Sequence, residues 1–185
     1  LTVWLLCIYL VTQAKDGISS LNLARTVGIS ANAALRIKHK LQQVMKERDD
    51  RKALQGLLLI DDAYWGGKKR DGKRGRGATG KTPFVAALSL SSTGHPMFLK
   101  LSQFRGFTKK EISAWSRKFI HPESRVISDC LSCFSAVAET AGQHEPIRAH
   151  DGGKYDERKV FQWLNTVIGN VKNALHGTYH AISAR

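Results

Sequence analysis

Two short apolar runs in this chain each end in aspartate. Residues 57–60 read LLLI and lead directly into Asp61 and Asp62, and residues 126–128 read VIS and lead into Asp129. Apolar runs of this length, bounded by polar residues, are typical of strands buried in a sheet. A chain that contains such strands has to cover them with other elements, and this requirement limits the possible folds.

The order of patterns after residue 56 predicts a mixed α/β sheet with helices packed on it. Helices are expected from the segment TKKEISAWSRKFI after a capping Thr108, from the residues that follow Asp129, and from Glu157 to about Leu175. Strands are expected at residues 57–65, 82–90 and 96–102, and at the segments RVISD and PIRAH.

The first 51 residues show helical periodicity throughout and predict three helices. Ser20 is expected to cap the second helix, Gly28 to provide a tight turn, Ile29 to fill the angle and Ser30 to cap the third helix. This layout favours a helix-turn-helix. The alternative is a plain three-helix bundle with a solvated basic face.

The predicted third helix carries basic side chains that could meet phosphates or base edges of DNA. They are Arg36, Lys38, His39 and Lys40.

Charge is the unusual feature of the composition. Lys and Arg outnumber Asp and Glu by 29 to 15, so the formal net charge is +14. Such an excess favours a polyanionic partner, of which nucleic acid is the commonest, over a protein that is merely basic and soluble. Three cysteines are too few for a disulfide framework, and the C-x-x-C pair at 130–133 has no second pair to complete a zinc site.

The apolar opening LTVWLLCIYLV is too short to span a bilayer, and no basic residues precede it as in a signal peptide. We therefore expect no membrane partner. The chain begins on Leu1 and stops on Arg185 shortly after a helical pattern, which indicates a fragment of a longer protein.

A glycine-rich cationic arm at residues 68–81 follows the first acidic pair and contains one acidic residue, Asp71. Its basic side chains can neutralise backbone phosphates near the acids, and its glycines let it adapt to a duplex. These side chains are Lys68, Lys69, Arg70, Lys73, Arg74, Arg76 and Lys81.

The acids at the two strand ends can converge at one edge of a sheet. Close carboxylates repel each other unless a cation lies between them, so their convergence would create a Mg²⁺ or Mn²⁺ site. Hard divalent ions with open positions suit two-metal phosphoryl transfer.

The last predicted helix carries a polar stripe beside its apolar one. Asn165, Gly169 and Lys172 recur at helical intervals, so the amide and the ammonium point the same way. Gly169 indicates close approach of another group, because glycine is unfavourable in a helix. A solvated face is the alternative. The apolar stripe, expected to pack on the sheet, consists of Val160, Phe161, Leu164, Ile168, Val171 and Leu175.

Four ordered motifs carry a family resemblance: IDDAYWGGKKR with GRGATGKTPFV, then VISD, then WLNTVIGNVK, then HGTYHAIS. Together they resemble the catalytic domain of DDE-type insertion-sequence transposases, specifically an ISXO-like branch in which Asn replaces the third acid. The resemblance runs from about Gly56 to the C-terminus. Thirty-five residues separate Asp129 from Asn165, a spacing similar to that between the second and third members of the family's triad.

The resemblance implies a ribonuclease H-like domain at residues 56–185, after a helix-turn-helix segment at residues 1–51. It implies Asp61 as the first triad member beside the neighbouring acid Asp62, Asp129 as the second and Asn165 as the third. Lys172 matches the basic residue that follows and would meet a phosphate. The metal ligands would then be Asp61, Asp129 and Asn165, holding two Mg²⁺ or Mn²⁺ ions.

The implied activity is metal-dependent cleavage at transposon ends followed by strand transfer into target DNA. The implied partners are double-stranded DNA and further copies of the chain, in the bacterial cytoplasm at the nucleoid. A domesticated DNA-binding relative without catalysis and a ribonuclease H-like nuclease that cuts without joining remain open alternatives. Tyr179 and His180 lie in a matching motif, but no role follows for them.

Overall fold

The computed structural model describes residues 1–66, 81–147 and 157–179. Contacts between Cα atoms divide these residues into two compact units. One contains Leu1–Arg51 together with the described residues from Asn170 onward, and the other contains the described residues between Lys52 and Gly169. We call the first the helical unit and the second the sheet unit.

The helical unit contains α1 (Thr2–Gln13), α2 (Ser20–Val27) and α3 (Ala31–Asp49). These helices meet in a small apolar core, and Ile29 packs against it. Ser19, and not Ser20 as predicted, caps α2: its Oγ accepts a hydrogen bond from the Asn22 N–H at 3.1 Å. The reason is that Ser19 is still extended whereas Ser20 is already helical. The core residues are Cys7, Leu23, Ala24, Ala34 and Ile37.

The turn between α2 and α3 follows the predicted layout. Gly28 adopts a left-handed conformation with φ of 74°, and its N–H donates to the Ala24 carbonyl at 2.9 Å. Ser30 caps α3 by accepting the Ala33 N–H at 3.2 Å. Local chemistry therefore fixes the turn, whereas its use in DNA recognition stays a prediction.

The sheet unit contains five strands in the order β3-β2-β1-β4-β5. β1, β2 and β3 are antiparallel neighbours, whereas β4 runs parallel to β1 and β5 parallel to β4. With helices on both faces, this mixed sheet is ribonuclease H-like and confirms the predicted fold class. The strands are β1 (Leu57–Trp65), β2 (Thr82–Leu90), β3 (Pro96–Gln103), β4 (Arg125–Asp129) and β5 (Gln143–Ile147).

Side chains of the central strands alternate between two apolar layers. Leu58 and Ile60 pack in the layer that contains α4 (Lys109–Phe119) and the 3₁₀ helix Ser132–Glu139. Leu59 and Ala63 pack in the opposite layer, against the first turns of α6 (Gln162–Tyr179). Each position on β1 can therefore be assigned to one face by its place in the alternation.

Three predicted elements differ from the structure. The segment after β4 is a 3₁₀ helix, and the last strand is Gln143–Ile147 rather than the predicted PIRAH. The long helix is divided at Phe161 into α5 (Glu157–Val160) and α6. Residues 148–150 of the predicted last strand lie outside the described residues.

The apolar stripe of α6 does not pack on the sheet along its whole length. Phe161, Leu164 and Ile168 are buried in the layer against the sheet. Val171 and Leu175 are half-buried and belong to the helical unit instead. The prediction is therefore right for the first two turns and wrong for the rest.

No helix within the described parts of the chain combines the length and the apolar character needed to cross a membrane.

Candidate metal centre

Asp61 and Asp129 lie side by side on two parallel strands: Asp61 is in the middle of β1, and Asp129 is the last residue of β4. The paired residues of β1 and β4 run from Leu57 opposite Arg125 to Ile60 opposite Ser128, so Asp61 and Asp129 follow at the next level. Both positions alternate with residues of the α6 layer: Asp61 lies between Leu59 and Ala63, and Asp129 follows Ile127 by two. The two carboxylates therefore start from the same face of the sheet.

Three carboxylates converge at this point. Asp61, Asp62 and Asp129 each offer one oxygen atom, and these oxygens all lie within 4.8 Å of one another. All three residues are half-buried. The predicted convergence of the acids is confirmed. The expectation that both stand at strand ends is right for Asp129 and wrong for Asp61, because β1 continues to Trp65.

Backbone N–H groups hold two of the carboxylates in place. Asp61 Oδ1 accepts a hydrogen bond from the Asp62 N–H at 2.8 Å. Asp129 Oδ1 accepts one from the Leu131 N–H at 3.2 Å, in the turn that follows β4. These bonds restrict the rotation of each side chain and so stabilise the shared arrangement.

The electrostatics of this acidic group favour a cation. Two carboxylates about 5 Å apart repel by about 3 kcal/mol at the effective dielectric of a protein surface. A divalent ion removes this repulsion, and oxygen-only donors suit Mg²⁺ or Mn²⁺ better than zinc or copper. The chemistry of the donor set therefore fits the predicted ion.

Asn165, the predicted third ligand, lies on α6 one residue after Leu164. Leu164 is fully buried against the layer that contains Leu59 and Ile127, whereas Asn165 itself is exposed. Asn165 therefore lies on the helix that covers the face of the sheet from which the Asp61 and Asp129 side chains extend. Its role as a ligand stays a prediction.

Lys172 lies on the same helix, in the part that groups with the helical unit. It is half-buried. Its predicted contact with a DNA phosphate stays a prediction. Gly169, which lies between Asn165 and Lys172, is not crowded, because an added Cβ would meet no described atom within 4 Å. The close approach expected at Gly169 is therefore not found among the described residues.

The basic side chains predicted on α3 divide into two groups. Arg36, His39 and Lys40 are exposed, as a phosphate contact requires. Lys38 is 4% exposed and does not share that surface. Its Nζ donates to the Ile18 carbonyl at 2.6 Å and lies 4.4 Å from the centroid of the Tyr179 ring. Because Lys38 is buried, the expectation that it contacts DNA is corrected. Its ammonium is hydrogen-bonded inside the helical unit instead.

Two other predicted features are only partly described. Lys81 is half-buried directly before β2, but the rest of the basic arm lies outside the described residues, as does His180. Tyr179 accepts a hydrogen bond from Gln42 at 3.2 Å and so has a packing role in the helical unit. The remaining arm residues are Lys68, Lys69, Arg70, Lys73, Arg74 and Arg76.

The sequence left Asp62 out of the predicted ligands. Because side chains alternate along a strand, the Asp62 side chain leaves β1 on the face opposite that of Asp61. One of its oxygen atoms nevertheless lies within 4.8 Å of the other two carboxylates. The only sequence signal for a role of Asp62 is that it follows Asp61 directly. Adjacency alone does not predict that the two carboxylates will reach the same point.

Comparison with known proteins identifies the family to which the chain belongs. A search of curated proteins found no significant match. The model of the ISXO2-like transposase domain matches residues 53–185, which include all five strands and the three converging acids. The predicted resemblance to insertion-sequence transposases is confirmed at the level of the family. We conclude that this chain belongs to the family of ISXO2-like transposase domains.

Proposed function

We propose that this insertion-sequence transposase cleaves DNA at transposon ends and joins the freed 3′ ends to target DNA by metal-dependent phosphoryl transfer. The observation that supports the proposal most directly is the meeting of oxygen atoms of Asp61, Asp62 and Asp129 within 4.8 Å, just beyond the last pair that β1 forms with β4. The family match supports the same reaction class.

Asp61 and Asp129 would hold the divalent ions, and Asn165 would add a neutral carboxamide oxygen. Ions bound there supply activation of the attacking oxygen and stabilisation of the leaving one. The protein provides position and charge, and no covalent intermediate with a side chain is needed. Lys172 would contact the scissile or a neighbouring phosphate as a point charge.

DNA would be held by the basic arm at residues 68–81 and by Arg36, His39 and Lys40 of α3. The arm joins β1 to β2 and so begins a few residues after Asp61. Cations so close in sequence to the acids can hold a phosphodiester against the carboxylates, which would otherwise repel it. Because transposition handles two ends, we further propose that more than one copy acts on the DNA, at the nucleoid in the bacterial cytoplasm.

The test uses the full chain, supercoiled plasmid DNA and Mn²⁺. We expect nicking that requires the metal and falls at least about 100-fold in Asp61→Ala and Asp129→Ala, because each removes a charge that stabilises the reaction. Glu123→Ala is the matched control, since Glu123 is an exposed carboxylate in the same unit. Equal nicking by all the variants would contradict the metal centre.

The products distinguish the alternatives. Joined strands in addition to nicks support the transposase, and nicks without joined strands support a ribonuclease H-like nuclease. Duplex binding without metal-dependent nicking supports a domesticated DNA-binding relative.

A further inference from the structure

We propose that His144 is a positioning residue for Asp129, acting through Ser128. In this inference, which rests on the proposed function, a partly buried chain of hydrogen bonds on the opposite face of the sheet fixes the end of β4. The Asp129 carboxylate then meets Asp61 at the metal centre.

The chain of hydrogen bonds has two steps, each 2.9 Å long. Ser128 Oγ donates to the backbone carbonyl oxygen of Asp129. The same Oγ lies 2.9 Å from Nε2 of His144. Ser128 is fully buried, so neither bond is exchanged easily for one to water.

The direction of these bonds follows from the number of protons. A serine hydroxyl has one hydrogen, and Ser128 uses it on the Asp129 carbonyl. His144 must then donate its Nε2–H to Ser128 Oγ. Burial lowers the pKa of His144 and so favours the neutral ring. The neutral tautomer with its hydrogen on Nε2 can make this donation.

The position of Ser128 explains why its hydrogen bonds should affect the metal centre. Ser128 is the last residue of β4 that is paired with β1, so Asp129 lies one step beyond that ladder. Asp129 is held by its pairing with Ile147 of β5 and by the hydrogen bond from Ser128 to its carbonyl. Fixing the Asp129 carbonyl group fixes the backbone conformation at the Cα from which the Asp129 carboxylate side chain extends.

The surroundings make the polar pair costly to disrupt. By alternation, Ser128 belongs to the layer that contains Leu58, Ile60 and Val126, where apolar side chains offer no replacement partner. Loss of the His144 donor would leave the hydroxyl short of one bond, and the strand end would relax to find another. A shift of about 1 Å at a ligand is enough to weaken a metal site.

The experiment measures Mn²⁺ affinity of the full chain by titration calorimetry, together with the melting temperature. We expect His144→Leu and Ser128→Ala to weaken Mn²⁺ binding about tenfold, as outer partners of metal ligands commonly do. We expect His144→Gln, which keeps a side-chain N–H, to stay within about threefold of wild type. Saturating Mn²⁺ should restore most of the nicking rate in His144→Leu.

His121→Leu is the control for loss of a histidine, because His121 is half-buried in the same unit and accepts the Glu123 N–H through Nδ1. The positioning role is overturned if wild type binds Mn²⁺, Asp61→Ala abolishes binding, and His144→Leu and Ser128→Ala lower only the melting temperature. Wild type that does not bind Mn²⁺ at all overturns the proposed metal centre as well. If His144→Leu does not fold, Ser128→Ala decides the question.

Discussion

At the scale of single residues, the acidic group concentrates charge in a very small space. Three carboxylates lie within 4.8 Å of one another, and the proposed fourth ligand, Asn165, is neutral. In the proposed site, the carboxylates would contribute charge to a bound cation, and Asn165 would contribute only a neutral carboxamide oxygen. The charge of the residue at position 165 should therefore control how tightly the ion binds before DNA arrives.

Asn165→Asp should tighten Mn²⁺ binding in the absence of DNA by about tenfold, because an added anionic ligand contributes on the order of 1.4 kcal/mol at this partly solvated position. Titration calorimetry measures the change. Asn170→Asp, which adds the same charge at an exposed position of the same helix, is the control and should leave the affinity unchanged. Equal effects of the two substitutions would show that Asn165 is not a ligand.

His144 predicts a pH dependence of stability. Burial lowers its pKa in the folded protein below the ordinary value of 6.5, so the unfolded chain takes up the proton first. The free energy of unfolding should therefore fall as pH decreases from 6.5 towards the lower pKa and then level off. Urea titrations between pH 5 and 8 should show a weaker fall in His144→Gln. The other histidines are common to both proteins, so identical profiles would contradict the shift.

Residue-scale features differed in how far the sequence could predict them. Apolar runs before Asp61 and Asp129 indicated two buried strands, and the parallel pairing of these strands brings the two acids to the same level, although Asp61 lies in the middle of β1 and not at its end. The link between His144 and Ser128 could not be predicted, because it depends on the register of β4 with β5, which places His144 opposite Val126. Burial of Lys38 was missed for a similar reason, since its partner Ile18 is twenty residues away.

At the scale of elements, two glycines contribute to helices in opposite ways. Gly28 ends α2 in a left-handed conformation that other residues adopt only at a cost. Gly169 lies inside α6 with nothing described within 4 Å of an added Cβ. The same substitution should therefore have opposite effects at the two positions.

Gly28→Ala should destabilise the protein by about 1 kcal/mol, because alanine is strained at positive φ. Gly169→Ala should stabilise it by about 0.5–1 kcal/mol through helix propensity. Urea unfolding followed by circular dichroism measures both, and each variant is the control for the other. Destabilisation by Gly169→Ala would mean that some group does approach this turn closely.

The elements that the sequence predicted best are those with a strong local signal. Long apolar runs gave β1 and β2 with the observed bounds, and Thr108 caps α4 by accepting the Glu111 N–H at 3.3 Å. The last strand was predicted at PIRAH, too late in the sequence, because residues 143–145 read QHE and carry no apolar strand signal; β5 includes them and Pro146. Proline is tolerated there because β5 is at the edge of the sheet, which only the tertiary order reveals.

At the scale of the whole molecule, the net charge of +14 is the property that matters most for association with DNA. Each phosphate that the protein neutralises releases about one counterion, so affinity should fall linearly with salt on logarithmic axes. The steepness of that fall counts the phosphate contacts.

Arg36→Gln and Lys40→Gln should each reduce the salt slope of duplex binding by about one, measured by fluorescence anisotropy at several salt concentrations. Lys38→Gln is the matched substitution at a buried position: it should leave the slope unchanged and lower the melting temperature, because the Ile18 carbonyl loses its ammonium partner. A slope that is the same in all three variants and in wild type would remove α3 from the DNA surface.

Organisation into units was only partly accessible from sequence. The resemblance implies separate segments at residues 1–51 and 56–185, whereas contacts between Cα atoms group Leu1–Arg51 with the described residues from Asn170 onward. The grouping of the end of α6 with the first three helices was not foreseen, because α6 is continuous in sequence and in periodicity. A periodic stripe states which residues share a face of a helix but not which neighbour covers each part of it.

β1 is paired with β2 as far as Trp65, whereas its pairing with β4 runs from Leu57 to Ile60. Asp61 therefore lies just beyond the last pair that β1 forms with β4. Its position beside Asp129 depends on the register of the two strands, in which side chains alternate between the faces with a period of two residues. A one-residue deletion between Leu57 and Ile60, or between Arg125 and Ser128, would therefore move one acid to the opposite face of the sheet and separate the two carboxylates.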